Sequence, residues 1–256
     1  MPNLLAIIPH PDDETYAFAG TIALAAKAGW KCHVHCASFG EGGERHDGGD
    51  PDPGMLALAR ARELDASCAR LGAQPPDIWG LPDGGLAGRK EGVRKARSAM
   101  RRTNAAVVLS LGSDGAYGHP DHLAVHRWVQ QAWETIEEKP VLLYAAFPPG
   151  LFRPQYERCV ISGIMGDPPL LEPQDIGQHT ADICVDIRAV AASKREAIAA
   201  HATQLQDGDP ETMFPAGIVP ALMERETYGI ATGESAPDRE TTIARLQELS
   251  PAFARC

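Results

Sequence analysis

The 256-residue chain has no apolar stretch approaching the roughly 20 residues that a membrane-spanning helix needs. Its first residues run directly into an apolar segment, with no basic region and cleavage site of a leader type before it. From these two absences we expect no membrane span and a cytoplasmic location. Positive charge is also scarce: 24 Lys and Arg stand against 34 Asp and Glu, for a formal net charge of −10. Binding a phosphate backbone requires a clustered basic face, so no nucleic-acid partner is expected. The one basic stretch, Arg89 to Arg102, has the sparse spacing of a solvated helix face. Cysteines number six (Cys32, Cys36, Cys68, Cys159, Cys184, Cys256) and form no C-x-x-C pair. That pattern argues against a zinc-thiolate cage and fits reduced, buried thiols better than disulfides. A Rossmann-like module that merely binds a nucleotide or other ligand would carry G-x-G-x-x-G after its first strand, and this chain has no such turn there.

What the chain does have is an ordinary globular composition, 44% hydrophobic and 23% charged, with enough length to bury a sizeable core. Residues 1–256 are expected to form one domain. Short apolar runs at 4–8, 32–39, 105–111 and 141–147 alternate with stretches of helical periodicity at 14–29, 55–71, 89–102, 120–137 and 188–204. Alternation of this kind builds βαβ units with right-handed crossovers. The expected fold class is therefore α/β and Rossmann-like: a mostly parallel sheet with helices on both faces. Leu4 to Ile8 is continuously apolar, as a strand covered on both sides must be. Three segments break the pattern. Gly40 to Gly54 is a Gly/Asp/Pro-rich loop after the second strand, able to close over a ligand. Pro148 to Pro173 is proline-rich and predicts an irregular or edge-strand arm. Gln206 to Pro220 is a third loop.

Chemistry concentrates at two places. His10-Pro11-Asp12-Asp13-Glu14 follows the first apolar run, and His119-Pro120-Asp121-His122 follows the run at 105–111. In a parallel sheet both clusters would lie at carboxyl ends of strands, where open α/β sheets hold their ligands. Hydrolytic zinc takes three His or carboxylate ligands and leaves a fourth position for water; His10, Asp13 and His122 supply such a set. Proline in each cluster suits the first turn of a helix leaving the strand. Asp12, beside the metal but not on it, is placed to act as general base. His119, one helical turn before His122, would stabilise an oxyanion as an imidazolium, with Asp121 holding its other ring nitrogen and raising its pKa. Tyr117 offers a phenol to the same oxyanion. His126 competes with His10 as a partner of His122, since the two histidines form an i, i+4 pair, but its place between Val125 and Trp128 suits a structural histidine better. Iron(II) fits the same donor set as zinc.

Pro9-His10-Pro11-Asp12-Asp13-Glu14 and Tyr117-Gly118-His119-Pro120-Asp121-His122 resemble the two signatures of the GlcNAc-phosphatidylinositol de-N-acetylase family, also called PIG-L or LmbE-like. Residues 38–44, 60–64, 81–86 and 194–204 are similar to further motifs of that family in the same order. The resemblance implies a Rossmann-like fold and zinc-dependent removal of acetyl from an N-acetylglucosaminyl substrate. It implies the same assignments for His10, Asp13, His122, Asp12, His119 and Tyr117. It further implies that Arg60 anchors an acidic group of the aglycone, that Asp83 binds sugar hydroxyls, and that Glu41 or Glu44 meets the substrate. His201 and Gln204 would brace the site.

The expected activity is thus hydrolysis of the acetamide of a small N-acetylglucosaminyl conjugate. An arginine suits the carboxylates of a malate aglycone, which would place the enzyme in bacillithiol synthesis. The alternatives are an amidase acting on a mycothiol-type conjugate, or hydrolysis of another amide or ester. The expected partner is that small N-acetylated sugar conjugate; the sequence is also compatible with a homo-oligomer.

Overall fold

The structure is a computed structural model that describes residues 1–177, 181–233 and 236–256. Its first half follows the alternation of the sequence: β1 (Asn3–Ile8), α1 (Asp13–Lys27), β2 (Lys31–Cys36), α2 (Pro53–Leu71), β3 (Asp77–Ile78), α3 (Glu91–Thr103), β4 (Val107–Leu111), α4 (Gly115–Gly118), α5 (Pro120–Glu134) and β5 (Val141–Ala145). The second half contributes α6 (Arg153–Ile161), β6 (Ile183–Asp186), α7 (Ala191–Ala199), α8 (Ile218–Ala221), β7 (Arg225–Ile230), α9 (Arg239–Leu249) and β8 (Ala254–Arg255).

Among the described residues one eight-stranded sheet runs in the order β3-β2-β1-β4-β5-β7-β6-β8. The strands from β3 to β5 are parallel, with Ala6 of β1 level with both Val34 of β2 and Leu109 of β4. Beyond β5 every pairing is antiparallel. The sheet is therefore mixed, parallel from β3 to β5 and antiparallel from β5 to β8. The chain order reverses direction at β1 and β4, and the crevice outside their carboxyl ends is the place such sheets offer a ligand.

β1 is buried from Leu4 to Ile8 because both faces of the sheet are covered. Leu4, Ala6 and Ile8 pack with Phe18, Ile22, Leu64 and Cys68 from α1 and α2; Leu5 and Ile7 pack with Ala96, Met100, Val125 and Trp128 from α3 and α5. Each such Leu or Ile contributes about 1.5–3 kcal/mol by leaving water. Asp52 starts α2 by accepting from Met55 N, with Pro53 in the first turn, and Gly72 ends it in a left-handed conformation.

Three expectations need correction. The periodicity at 188–204 predicts one helix, but α7 occupies only Ala191–Ala199, with 3₁₀ turns at Arg188–Val190 and Ala202–Gln204. The chain leaves the helix there because Thr203 turns inward to give both its N–H and its hydroxyl to Glu63 of α2, each at 2.7 Å. The proline-rich arm is not irregular throughout: α6 lies within it, started by Pro154 in its first turn. Nor are all the cysteines reduced. Antiparallel pairing of β6 with β8 sets Cys184 against Ala254, and Cys184 and Cys256 form a disulfide with Cα atoms 5.0 Å apart. Cys32, Cys36, Cys68 and Cys159 are free and buried, as expected.

Candidate metal and hydrolytic site

The loops after β1 and β4 meet. His10 and Asp13 arrive from the β1–α1 turn and His122 from the first turn of α5, and all three are buried. His10 Nδ1 and His122 Nε2 lie 3.3 Å apart, and Asp13 sends one oxygen to within 3.5 Å of each ring. The far side of each imidazole is occupied. His122 Nδ1 faces the Gly115 carbonyl at 3.0 Å, which can only accept, so the proton sits there and Nε2 presents a lone pair. His10 Nε2 faces Asp83 at 2.9 Å and Asp121 at 3.4 Å, two further acceptors, which turns Nδ1 inward as the second lone pair. Although burial alone would lower it, the surrounding Asp121, Asp13 and Asp83 hold the pKa of His10 well above the ordinary histidine value. Burial also opposes ionisation of Asp13, but the imidazoles of His122 and His10 overcome it and hold this carboxyl well below the usual range. The pocket favours positive charge at the point where two nitrogens and a carboxylate converge, and a divalent cation satisfies all three donors.

A second group of donors, His10, Asp83 and Asp121, also clusters. Its oxygens are already engaged: Asp121 accepts from Gly84 N at 2.8 Å and Leu86 N at 3.0 Å, and Asp83 accepts from Gly42 N and Gly84 N at 2.9 Å each. These two carboxylates suit the outer support of a metal-ligating histidine, fixing its ring and tautomer.

Asp12 stands at the N-cap of α1 with φ 121°, a left-handed value costly for a residue with a side chain. Its N–H donates to Glu14 Oε2 at 3.0 Å, and its Oδ2 accepts from Arg60 Nη2 at 2.9 Å. Burial pushes the Asp12 carboxyl up to about 6 against the pull of Arg60, and the neighbouring Asp13 adds to the rise. Arg60 itself is buried, donating also to the carbonyls of Gly40 and Pro11. Gly40 has φ 69°, a left-handed value that favours glycine, and a Cβ there would lie 2.2 Å from Arg60 Nη1 and displace that guanidinium. Asp13 is held on both oxygens, by His10 N at 2.9 Å and by the hydroxyl of Tyr16 at 2.7 Å.

His119 caps α5, its Nδ1 accepting from Asp121 N at 3.2 Å. Burial and the imidazoles of His122 and His10 push it down to about 2. The expected imidazolium is therefore replaced by a neutral ring with its proton on Nε2, and it is the Asp121 backbone, not its carboxylate, that holds the other nitrogen. Tyr117 sits with its hydroxyl 3.5 Å from His122 Nε2. Glu41 lies behind Asp83, accepting from its N–H at 2.9 Å, whereas Glu44 lines the open cleft. His126 turns away, its Nδ1 at 3.1 Å from the Leu111 carbonyl and its ring against Tyr144.

A cleft of about 370 Å³ opens over these groups, walled by His10, Asp12, Tyr117 and His119 at its floor and by Glu44, Gln155 and Arg158 toward its mouth. Two features escaped the sequence reading. Glu14 is fully buried and joins Asp12 N, Ser67 Oγ and His201 Nε2. Tyr16 reaches Asp13 from one helical turn away, a spacing that could have been read from the chain.

A family model described as PIG-L, GlcNAc-PI de-N-acetylase, matches residues 5–133, just over half of the chain. The chain belongs to the GlcNAc-PI de-N-acetylase (PIG-L) family. A 1D-myo-inositol 2-acetamido-2-deoxy-alpha-D-glucopyranoside deacetylase from Nakamurella multipartita is 33% identical over 245 residues, covering 80% of each chain. A protein of the same name from Nocardia farcinica is 28% identical and covers 92% of each. Among solved structures, the N,N'-diacetylchitobiose deacetylase of Pyrococcus horikoshii superposes with a TM-score of 0.61 at 19% identity, over 90% of this chain and 83% of that one. A 4-carboxy-2-hydroxymuconate hydratase from Pseudomonas putida superposes equally well, with a TM-score of 0.62 at 21% identity over 93% and 99%. The PIG-L fold thus carries more than one chemistry, and the reaction has to be argued from the site.

Proposed function

We propose that this PIG-L family protein is a metal-dependent N-deacetylase that hydrolyses the acetamide of a small N-acetylglucosaminyl conjugate. The observation that carries the reading is the convergence of His10 Nδ1, His122 Nε2 and the Asp13 carboxylate, with Asp12 alongside. His10, Asp13 and His122 would hold the ion, zinc or iron(II). When bound, such an ion acidifies water and polarises a carbonyl oxygen.

The remaining work falls to the chain. Asp12 has Oδ2 tied to Arg60, which leaves Oδ1 to take the proton of the attacking water. As water adds to the acetamide carbon, charge develops on the carbonyl oxygen. Nε2–H of neutral His119 and the hydroxyl of Tyr117 border the space where that oxyanion forms, and one such donor is worth about 100- to 1000-fold in turnover. Asp12 then returns its proton to the departing nitrogen, releasing acetate and a free amine. Burial of the floor excludes bulk water and strengthens each of these interactions.

For the aglycone, the names of the relatives favour an inositol conjugate of N-acetylglucosamine. A malate conjugate loses its physical support, because the guanidinium of Arg60 is already engaged by Gly40, Pro11 and Asp12. A panel of N-acetylglucosaminyl-inositol, N-acetylglucosaminyl-malate, a mycothiol-type amide and a simple acetate ester, read by acetate release, tests this. The inositol conjugate is expected to give the highest kcat/KM. Equal turnover of the ester would contradict the sugar-amide assignment.

A further inference from the structure

The carboxylate of Asp13 is the one charged member of the donor set, and its orientation depends on groups outside it. A carboxylate on a helix N-terminus can swing about χ1 and χ2, and a swing of either torsion moves its oxygens away from both imidazoles. Here each oxygen is pinned. His10 N holds Oδ2, and the hydroxyl of Tyr16 holds Oδ1. The lone pairs left over are the ones that face His10 Nδ1 and His122 Nε2.

Tyr16 is itself built in with unusual firmness. Its ring is buried among Phe147, Phe152 and Phe214, with centroids 5.9, 5.7 and 5.0 Å away. Its carbonyl accepts from Lys194 Nζ at 2.9 Å, and Lys194 pairs with Glu226 at 2.7 Å. Glu226 in turn accepts from Gly20 N and Thr21 N at 2.8 Å each. Tyr16 O and Gly20 N are the acceptor and donor that an α-helix pairs with one another, so this fully buried ion pair grips α1 at the turn from which the Tyr16 side chain departs. Removing a lysine and a glutamate from water is expensive unless the pair is fully hydrogen-bonded. Lys194 Nζ has two acceptors, and both Glu226 oxygens accept, Oε2 also from the hydroxyls of Thr21 and Tyr228, which offsets that cost at one place on α1.

We infer that Tyr16 is a positioning residue for the metal ligand Asp13, and that the buried Lys194–Glu226 pair seats Tyr16 for this task. The inference rests on the metal site of the proposed function. Through its hydroxyl, Tyr16 locks the carboxylate in the orientation that faces the two imidazoles. It also draws negative charge from Oδ1, which tunes how strongly Asp13 binds a cation. Outer partners of this type typically change metal affinity by about 10- to 100-fold.

Zinc affinity, measured by competition with a chromophoric chelator, provides the test. Tyr16→Phe keeps the ring and removes only the hydroxyl; its zinc dissociation constant is expected to rise about 10- to 100-fold, while the metal-free protein unfolds close to the wild-type temperature. Phe147→Leu disturbs the same aromatic wall without touching the hydroxyl and is expected to retain wild-type zinc affinity. Equal affinities for wild type and Tyr16→Phe would overturn the role of Tyr16 and leave the metal site standing. An equal loss in Phe147→Leu would reduce Tyr16 to packing and overturn the inference too. Failure of the wild type to take up zinc would overturn both readings together.

Discussion

Asp12 carries the most demanding combination of properties in the chain. It is the residue with a left-handed backbone, a carboxyl raised by burial, and a fixed ion pair to a buried arginine. Strain of this kind, of order 1–3 kcal/mol, persists only where the surroundings over-determine it. Here Glu14 holds the N–H and Arg60 holds one oxygen. If Asp12 moves the proton, Asp12→Asn keeps its metal and folds normally but loses about 100- to 10,000-fold in kcat, as steady-state assays on metal-loaded protein would show. Near-normal kcat would remove Asp12 as the base. At this scale most of the floor of the site was legible: the two His/Asp clusters name themselves by composition and spacing. The protonation state of His119 was not, because it depends on burial and on two imidazoles brought in by the fold. The engagement of Arg60 was equally hidden, since its partners, two backbone carbonyls and the Asp12 carboxylate, lie in loops distant in the chain.

The elements show the same division. β1, β2, β4 and β5 were readable as apolar runs because a parallel strand buried on both faces tolerates little else. β6, β7 and β8 were not, since short antiparallel strands at the side of a sheet carry mixed sequences such as Arg225–Ile230. The break after α7 was unreadable for a related reason: tertiary bonds from Thr203 to Glu63 outweigh a helical periodicity. The same break turns His201 inward against Glu14, Nε2 to Oε1 at 2.7 Å, with both side chains fully buried. Burial alone would lower the pKa of His201, but Glu14 on α1, with Asp12 and with Glu63 on α2, raises it above the ordinary 6.5. A histidine raised on folding stabilises the native state fully below its unfolded value, and that contribution fades as the pH climbs through the raised native value. Denaturant unfolding of wild type and His201→Gln should therefore differ most below the unfolded histidine value and progressively less at alkaline pH. A difference independent of pH would show that His201 is not charged in the native state.

Across the whole molecule, the sheet brings together segments more than a hundred positions apart. His10 and His122 are joined because β1 and β4 are neighbours, though β2, β3 and three helices intervene in the chain. The far end of the sheet is tied by the Cys184–Cys256 bridge, whose ends are 72 residues apart in sequence. A closed loop of that length restrains the unfolded chain by about 4 kcal/mol in the chain-entropy model. Chemical denaturation in reducing buffer should show a loss of that order or less, with catalysis at moderate temperature preserved because the bridge lies on strands remote from the cleft. A loss of kcat on reduction, without unfolding, would contradict that separation.

Every proposed step depends on two loops at the carboxyl ends of β1 and β4 jointly binding one divalent ion. Metal content and zinc affinity of wild type and His122→Ala test it most directly. About one ion per wild-type chain is expected, and its loss from a folded His122→Ala protein; undiminished affinity in that variant would rule out the shared site.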